Sequence, residues 1–307
     1  MPTIGIDLGG TKIFGARVSH GAERPARKQE AKATTPDGGP AVVVAAIAAL
    51  VHELGGADRV GVGAPGPVHD GMLEQAPNLV GFDEPVPLAA LLSEALDGAA
   101  VRVDNDVNAA VLGEHRAGAG RGVDDLLGVW VGTGVGGGLV LGGRLHRGRH
   151  GLAGEIGHSI VRPDGHRCSC GGIGHLEAYA GRAAMERLAR ERHAHGEATS
   201  LVELAGAERM KSSVFAKALA AGDAMATDLL DGAVEALGVA LASVAATVDV
   251  ELVVVGGGMA DRLGAGFVGR IEEALRSRVF GSSTVRAVPA ELGDAAGAVG
   301  AALLFED

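Results

Sequence analysis

The chain has 307 residues, 47% of them apolar, and a formal net charge of −11. That length allows two domains of ordinary size with cores of their own, and the acidic balance argues against a nucleic-acid surface, which needs clustered Lys and Arg to neutralise phosphates. No basic-then-apolar leader precedes the first apolar run at Ile4, and glycine or charge interrupts every run before it reaches membrane-spanning length, so the expectation is a cytoplasmic protein with no membrane partner.

The first apolar run, residues 3–8, reads as a strand turned by Gly9 and Gly10 into a second strand at 12–18, a glycine-turned hairpin. The locally basic stretch 24–32 reads as a solvated strand edge, and 40–54 as an Ala/Val helix. A strand at 59–63 enters the loop APGPVHDG, a short return follows at 72–76, and 87–96 reads as a helix. Residues 100–103 form a buried strand and 105–115 a helix capped by Asp104 or Asn105, with Asp106 in its first turn. The second half opens as the first did: a strand at 126–131, a glycine turn at 132–138 and a return at 139–141. Helices are expected at 178–193, 200–204, 213–220 and 223–247, then a strand at 251–255, a helix at 264–277, a strand at 284–288 and a last Ala-rich helix at 294–305. Two halves with the same opening, and strands alternating with helices between, suggest a duplicated α/β architecture with two facing hairpins and a central cleft.

Residues 154–177 hold both cysteines of the chain, three histidines and two glutamates. Cys168 and Cys170 stand one residue apart, which argues against an ordinary disulfide and agrees with a reducing compartment. With His175 and, upstream, His158 they make a four-ligand set whose thiolates and imidazoles suit tetrahedral Zn²⁺. His166 is a spare histidine, and two core thiols in a Gly-rich loop among surface histidines is the alternative.

Each hairpin carries the means to bind phosphate. In the first, Gly9 and Gly10 let backbone amides approach closely, Thr11 adds a hydroxyl, Lys12 a cation, and Asp7 an acid able to hold hydrated Mg²⁺. Thr133 and Gly134 repeat the amides and hydroxyl in the second. Neither has the strand to GxxxxGK[ST] to helix form, which disfavours a Walker-type ATPase.

GIDLGGTK, GVGAPGPV, APNL, VDNDVNAA, GTGVGGGLV, GEIGH, CSCGGIGHLE and VVVGGG, in that order over nearly the whole chain, resemble the ROK family of sugar kinases and related repressors. The resemblance implies the actin-like, ribonuclease-H-like ATPase fold in two domains, 1–116 with the last helix 291–307 returning to it, and 117–290 carrying the zinc knuckle. It implies that Asp106 is the catalytic base, that Gly66, Asn78, Asn105, Glu155, His158 and Glu177 bind the sugar, and that Gly256, Gly257 and Gly258 lie on the adenosine side of ATP. His158 would then have two tasks, one ring nitrogen on structural zinc and the other toward the sugar, with His175 standing where the family's third cysteine is common. Phe82 stands where an indole is frequent, and nothing about substrate follows from it. An ATP- and Mg²⁺-dependent glucokinase of homodimeric or homotetrameric habit is the leading expectation. Kinases for N-acetylmannosamine, N-acetylglucosamine, fructose, mannose or allose are alternatives, and polyphosphate is an alternative donor. A repressor would need a helix-turn-helix before the first hairpin, and a non-catalytic sugar-binding protein would not need Asp106 and both hairpins intact.

Overall fold

The computed structural model describes residues 2–19 and 26–307; part of the basic stretch, including Arg24, lies outside them. The first half runs β1 (Thr3–Leu8), β2 (Lys12–Ser19), β3 (Ala26–Thr34), α1 (Pro40–Glu53), β4 (Arg59–Ala64), β5 (Val68–His69), β6 (Met72–Leu73), α2 (Leu88–Ala95), β7 (Ala100–Asn105) and α3 (Asp106–Ala117). Its main sheet has the order β3-β2-β1-β4-β7. The hairpin β1–β2 is antiparallel, with Ile6 opposite Gly15, whereas β1–β4 and β4–β7 are parallel.

Alternation along the hairpin sorts side chains to two cores. Ile4, Ile6, Leu8 and Ile13 join α1 and α2 through Val43, Ile47, Leu88 and Leu92. Phe14, Ala16 and Val18 face the other way, onto Leu112 of α3 and the last helix, α10 (Ala296–Leu303). α10 is rich in Ala and Gly because it approaches by its backbone: a Cβ at Gly5 or Gly61 would overlap the carbonyl oxygens of Ala298 and Ala301.

The second half runs β8 (Leu126–Val131), β9 (Val135–Leu141), β10 (Arg144–His146), α4 (Glu177–Ala180), α5 (Arg182–Ala194), α6 (Ser200–Ala205), α7 (Ser212–Ala220), α8 (Ala224–Val248), β11 (Leu252–Gly256), α9 (Gly258–Arg276) and β12 (Arg286–Pro289). Its sheet order, β10-β9-β8-β11-β12, repeats the first, again with parallel pairs β8–β11 and β11–β12. The duplication read from the two hairpins is therefore present strand for strand. α8 is long and apolar enough to cross a membrane, but 61% of its most apolar window is buried within the fold, and the side chain of Asp223 caps it by accepting from the Ala226 N–H.

Several element ends differ from expectation by a few residues, and three departures turn on glycine. Gly136–Gly138 belong to β9 rather than to the turn, and a Cβ at Gly137 would come within 2.6 Å of the Gly154 carbonyl oxygen, so glycine here serves close packing. The helix expected at 178–193 is two, divided at Gly181, which is extended (φ −68°, ψ 131°). The helix expected at 264–277 starts at Gly258 and is broken at Gly264, whose φ of 70° only glycine adopts readily.

The chain divides into two compact units. The first comprises Met1–Asp124, Gly138–Ala153 and Ala290–Asp307, and the second Asp125–Gly137 and Gly154–Pro289. The expected division, 1–116 and 117–290, differs from this one mainly in the segment Gly138–Ala153.

Candidate active site

In the first unit the turn between β1 and β2 is fixed from both sides. The Gly9 N–H donates to the Lys12 carbonyl (3.0 Å), while Thr35 donates its N–H to the Thr11 carbonyl (3.2 Å) and its hydroxyl to the Gly9 carbonyl (2.6 Å). Asn78 lies against this turn, since a Cβ at Gly10 would come within 2.8 Å of the Asn78 carbonyl oxygen. Lys12 reaches Asp294 (Nζ–Oδ2 2.9 Å), just ahead of α10, with Lys32 at 3.9 Å. Burial raises the pKa of the Asp7 carboxyl to about 6, against the pull of Lys12 and with a further push from Asp294.

Asp106 opens α3, and its Oδ1 accepts the Val107 N–H at 2.8 Å. The cap, for which the sequence left Asp104 and Asn105 as alternatives, is Asn105: its Oδ1 accepts from the N–H groups of Val107 (2.9 Å) and Asn108 (3.1 Å). Asn105 also donates Nδ2 to the Gly66 carbonyl at 3.2 Å, which joins the GVGAPGPV loop to the start of α3. Asp104 supports the same turn with Oδ1, accepting from Asn105 N–H (2.8 Å) and Asn108 Nδ2 (3.0 Å). Gly66, Asn105 and Asp106 thus converge in the first unit, as do Asp7, Gly9, Gly10, Thr11, Lys12 and Asn78.

The second unit gathers the rest. His158, Cys168, Cys170 and His175 present ligand atoms all within 4.8 Å of one another. His175 Nδ1 lies 3.2 Å from Cys170 Sγ and 3.4 Å from His158 Nδ1. A tetrahedral zinc with Zn–S of about 2.3 Å and Zn–N of about 2.0–2.1 Å has edges of roughly 3.3–3.8 Å; the two separations at His175 are close to these, and two thiols with two imidazoles are donors such an ion takes. His166 is not among the four; its N–H donates to the Tyr179 hydroxyl (2.8 Å). His158 turns its other nitrogen, Nε2, toward Glu155 Oε2 (3.9 Å). Burial raises the Glu155 pKa, His158 draws it down, and Glu177 raises it further.

Glu177 links the cysteine loop to the second hairpin. Its Oε2 accepts the Val135 N–H (3.0 Å), and its Oε1 accepts the Ser169 hydroxyl (3.1 Å) with Cys168 Sγ at 3.6 Å. Gly134 is glycine because a Cβ there would overlap the Glu177 carboxylate. Thr133, Cys168, Ser169, Glu177 and Arg187 line one cavity of about 500 Å³. Gly256 ends β11 against the Trp130 ring, Gly257 has a φ of 88°, and Gly258 begins α9.

Several contacts of these residues have no local signal in the sequence. Asp294, Arg182 (which donates Nη2 to Thr133 Oγ1 at 2.8 Å) and Arg147 (which donates Nε to Asp104 Oδ2 at 2.6 Å) each lie 43 or more residues from their partners. The positions of Asp294 ahead of a helix and Arg182 at the start of one were the available hints.

A model of the ROK family matches residues 3–307. The chain belongs to the ROK family. Among ROK proteins it is 34% identical to a glucokinase of Thermotoga maritima, over 99% of this chain and 97% of that protein. It is likewise 34% identical to an N-acetylmannosamine kinase of Escherichia coli O157:H7, over 100% and 99% of the two chains. A ROK glucokinase of Streptomyces griseus, solved in complex with glucose and AMPPNP, superposes with a TM-score of 0.82 at 35% identity, covering 99% of both chains. The actin-like fold expected from the ordered motifs is the fold of this family.

Proposed function

We propose that this sugar kinase is a glucokinase, transferring the γ-phosphoryl group of ATP to the 6-hydroxyl of glucose. The observation that carries the mechanism is the turn at the head of α3, where Asn105 and Asp104 hold Asp106 in the first helical turn beside the Gly66 loop. Phosphoryl transfer asks a protein chiefly for positioning and charge stabilisation. A single carboxylate near the nucleophile suffices as base, and the N-terminus of α3 favours its ionised form. Asp106 accepts the 6-hydroxyl proton, and Asn78, Asn105, the Gly66 backbone, Glu155 and His158 satisfy sugar hydroxyls that would be costly to bury unpaired. Glu177 contributes from beside the cysteine loop, to which its own carboxylate is bonded.

The amides of Gly9, Gly10 and Gly134, with the hydroxyls of Thr11 and Thr133, bind the ATP phosphates, and Gly256 to Gly258 take the adenosine. Lys12 exchanges Asp294 for phosphate when nucleotide binds. Asp7 holds the hydrated Mg²⁺ that accompanies ATP, whose chemistry is neutralisation of phosphate charge. His158, Cys168, Cys170 and His175 hold a structural Zn²⁺ that orients the His158 ring. The protein works as a cytoplasmic homodimer or homotetramer.

Glucose is preferred because two glucokinases, one of them solved with glucose and AMPPNP, are similar over full length. The similarity to an N-acetylmannosamine kinase supports N-acetylmannosamine as the second reading. Sugar-phosphate formation measured over glucose, mannose, fructose, allose, N-acetylglucosamine and N-acetylmannosamine, with ATP and with polyphosphate as donor, tests the proposal. Highest turnover is expected with glucose and ATP; preference for N-acetylmannosamine would establish the second reading, and no turnover with any sugar would refute kinase activity. Asp106→Ala should lose roughly 10²–10⁴-fold in turnover while still binding sugar, and near-normal turnover would sink the base assignment.

A further inference from the structure

A three-charge chain stands behind the turn that carries Asp106. Arg147, in the loop after β10, donates Nε to Asp104 Oδ2 (2.6 Å) and Nη1 to Asp307 Oδ2 (2.7 Å). Asp307 in turn accepts the Leu145 N–H on Oδ1 (2.9 Å). The two carboxylates are nearly buried, with 7% and 3% of their side-chain surface exposed, while the guanidinium between them keeps 39%. Two buried carboxylates sharing one cation form an arrangement in which removing the cation leaves uncompensated buried charge, far more harmful than losing a surface ion pair.

The chain holds something besides itself. Asp104 spends Oδ2 on Arg147 and Oδ1 on the Asn105 N–H and Asn108 Nδ2, and Asn105 is the residue that caps α3 and ties it to Gly66. Arg147 therefore sets where the Asp104 carboxylate sits, and that carboxylate sets the turn bearing Asp106. The Arg147 carbonyl also accepts the Ala153 N–H (3.1 Å), closing the loop that runs in sequence into Gly154 and Glu155. A guanidinium suits the task because Nε and Nη1 address two different acceptors at fixed angles, which one ammonium cannot reproduce.

We propose that Arg147, anchored by Asp307, is a positioning residue for phosphoryl transfer, acting through Asp104 on the Asn105–Asp106 turn. This rests on the reading of Asp106 as base. A displacement of about 1 Å at a reacting group costs on the order of 10²-fold in rate, so Arg147→Met should lower kcat roughly 10- to 100-fold and raise the sugar KM, leaving the ATP KM within about twofold. Arg147→Lys should fall between it and the parent.

The decisive measurement is a double-mutant cycle on purified, folded variants. Asp104→Asn keeps an acceptor for the Asn105 N–H and removes the charge that Arg147 balances, so Arg147→Met combined with Asp104→Asn should recover turnover relative to Arg147→Met alone. An Arg147 that merely supports the fold would lower thermal stability while leaving kcat and sugar KM of the folded variants at parent values. Asp307→Asn gives a second route if Arg147→Met does not fold, with a smaller loss in kcat expected. Parent-like kcat and sugar KM in Arg147→Met, or in Asp307→Asn where the former is insoluble, would overturn the proposal, as would a double variant no better than the single. Asp106→Ala is assayed alongside: retained turnover there removes the base reading itself, whereas an inert Asp106→Ala beside an unaffected Arg147 variant removes only the positioning role.

Discussion

Asp7→Asn is expected to make the unliganded protein more stable at pH 8 while weakening nucleotide use. The Asp7 carboxyl is crowded by protein on most sides though a little of its surface remains open, and burial raises its pKa from 3.8 to about 6 despite Lys12. A folded-state pKa above the unfolded one means that the native state holds its proton longer. The associated stabilisation is present in full below about pH 4 and is lost as pH rises through about 6. At 1.36 kcal/mol per unit the shift corresponds to about 3 kcal/mol at most, and contact with solvent at the open edge reduces it toward 1–2 kcal/mol. Asparagine has nearly the same shape and no charge, so above pH 7 it avoids that penalty. Thermal melting at pH 8 should therefore show the Asp7→Asn variant higher by several degrees, with the difference vanishing near pH 4. An Asp7→Asn protein that melts at or below the parent at pH 8, or whose advantage is the same at pH 4, would refute the reasoning. The trade is one expected of a functional carboxylate, in which stability is given up to hold a charge where a ligand needs it.

Two further outcomes follow from other named contacts. His175 Nδ1 is shared between Cys170 and His158, so His175→Ala should lower the zinc content of purified protein and raise the number of titratable thiols, whereas His175→Cys should retain the metal; full zinc in the alanine variant would exclude His175 as a ligand. Glu114 is wholly buried and accepts three backbone N–H groups, from Ala119 (2.9 Å), Glu291 (3.1 Å) and Leu292 (2.7 Å). Leaving a buried donor unpaired costs about 1–3 kcal/mol, and these three are only partly buried, so Glu114→Ala should destabilise by about 2–4 kcal/mol in chemical denaturation; a loss under about 1 kcal/mol would show that water replaces the carboxylate freely.

The strands and helices that were legible in the sequence are those with a local cause. Ile4, Ile6 and Leu8 alternate with smaller residues, Gly9 and Gly10 stop the run, and the resulting hairpin is where the sequence puts it. Asn105 and Asp106 stand before an apolar face and do open a helix. The four metal-type ligands lie within 18 residues, close enough for spacing alone to suggest their meeting. What stayed hidden depends on topology. Asp307 meets Arg147 across 160 positions and Lys12 meets Asp294 across 282, and no short-range pattern distinguishes those acids from solvated surface groups. Glu177 illustrates the intermediate case: its motif marks it as functional, yet its bonds to Val135 and Ser169 show a carboxylate already engaged in joining the cysteine loop to the second hairpin.

Glycine separates these two kinds of legibility. The chain's 51 glycines, many clustered after apolar runs, suggest turns, and Gly9, Gly10 and Gly134 do lie in turns between strands. Gly5 and Gly61, by contrast, lie within β1 and β4, where the backbone of α10 comes so close that only a hydrogen fits. Gly300 on α10 itself meets the carbonyl of Ala109 on α3, the helix that Asp106 opens. The same residue type therefore does two jobs in one unit: in the turn it exposes amides, and within the layers it lets α10 pack directly against β1, β4 and α3. The hairpin that carries Asp7 and the helix that carries Asp106 are in this way held by one short Ala-rich helix, through contacts between backbones that leave little room to adjust.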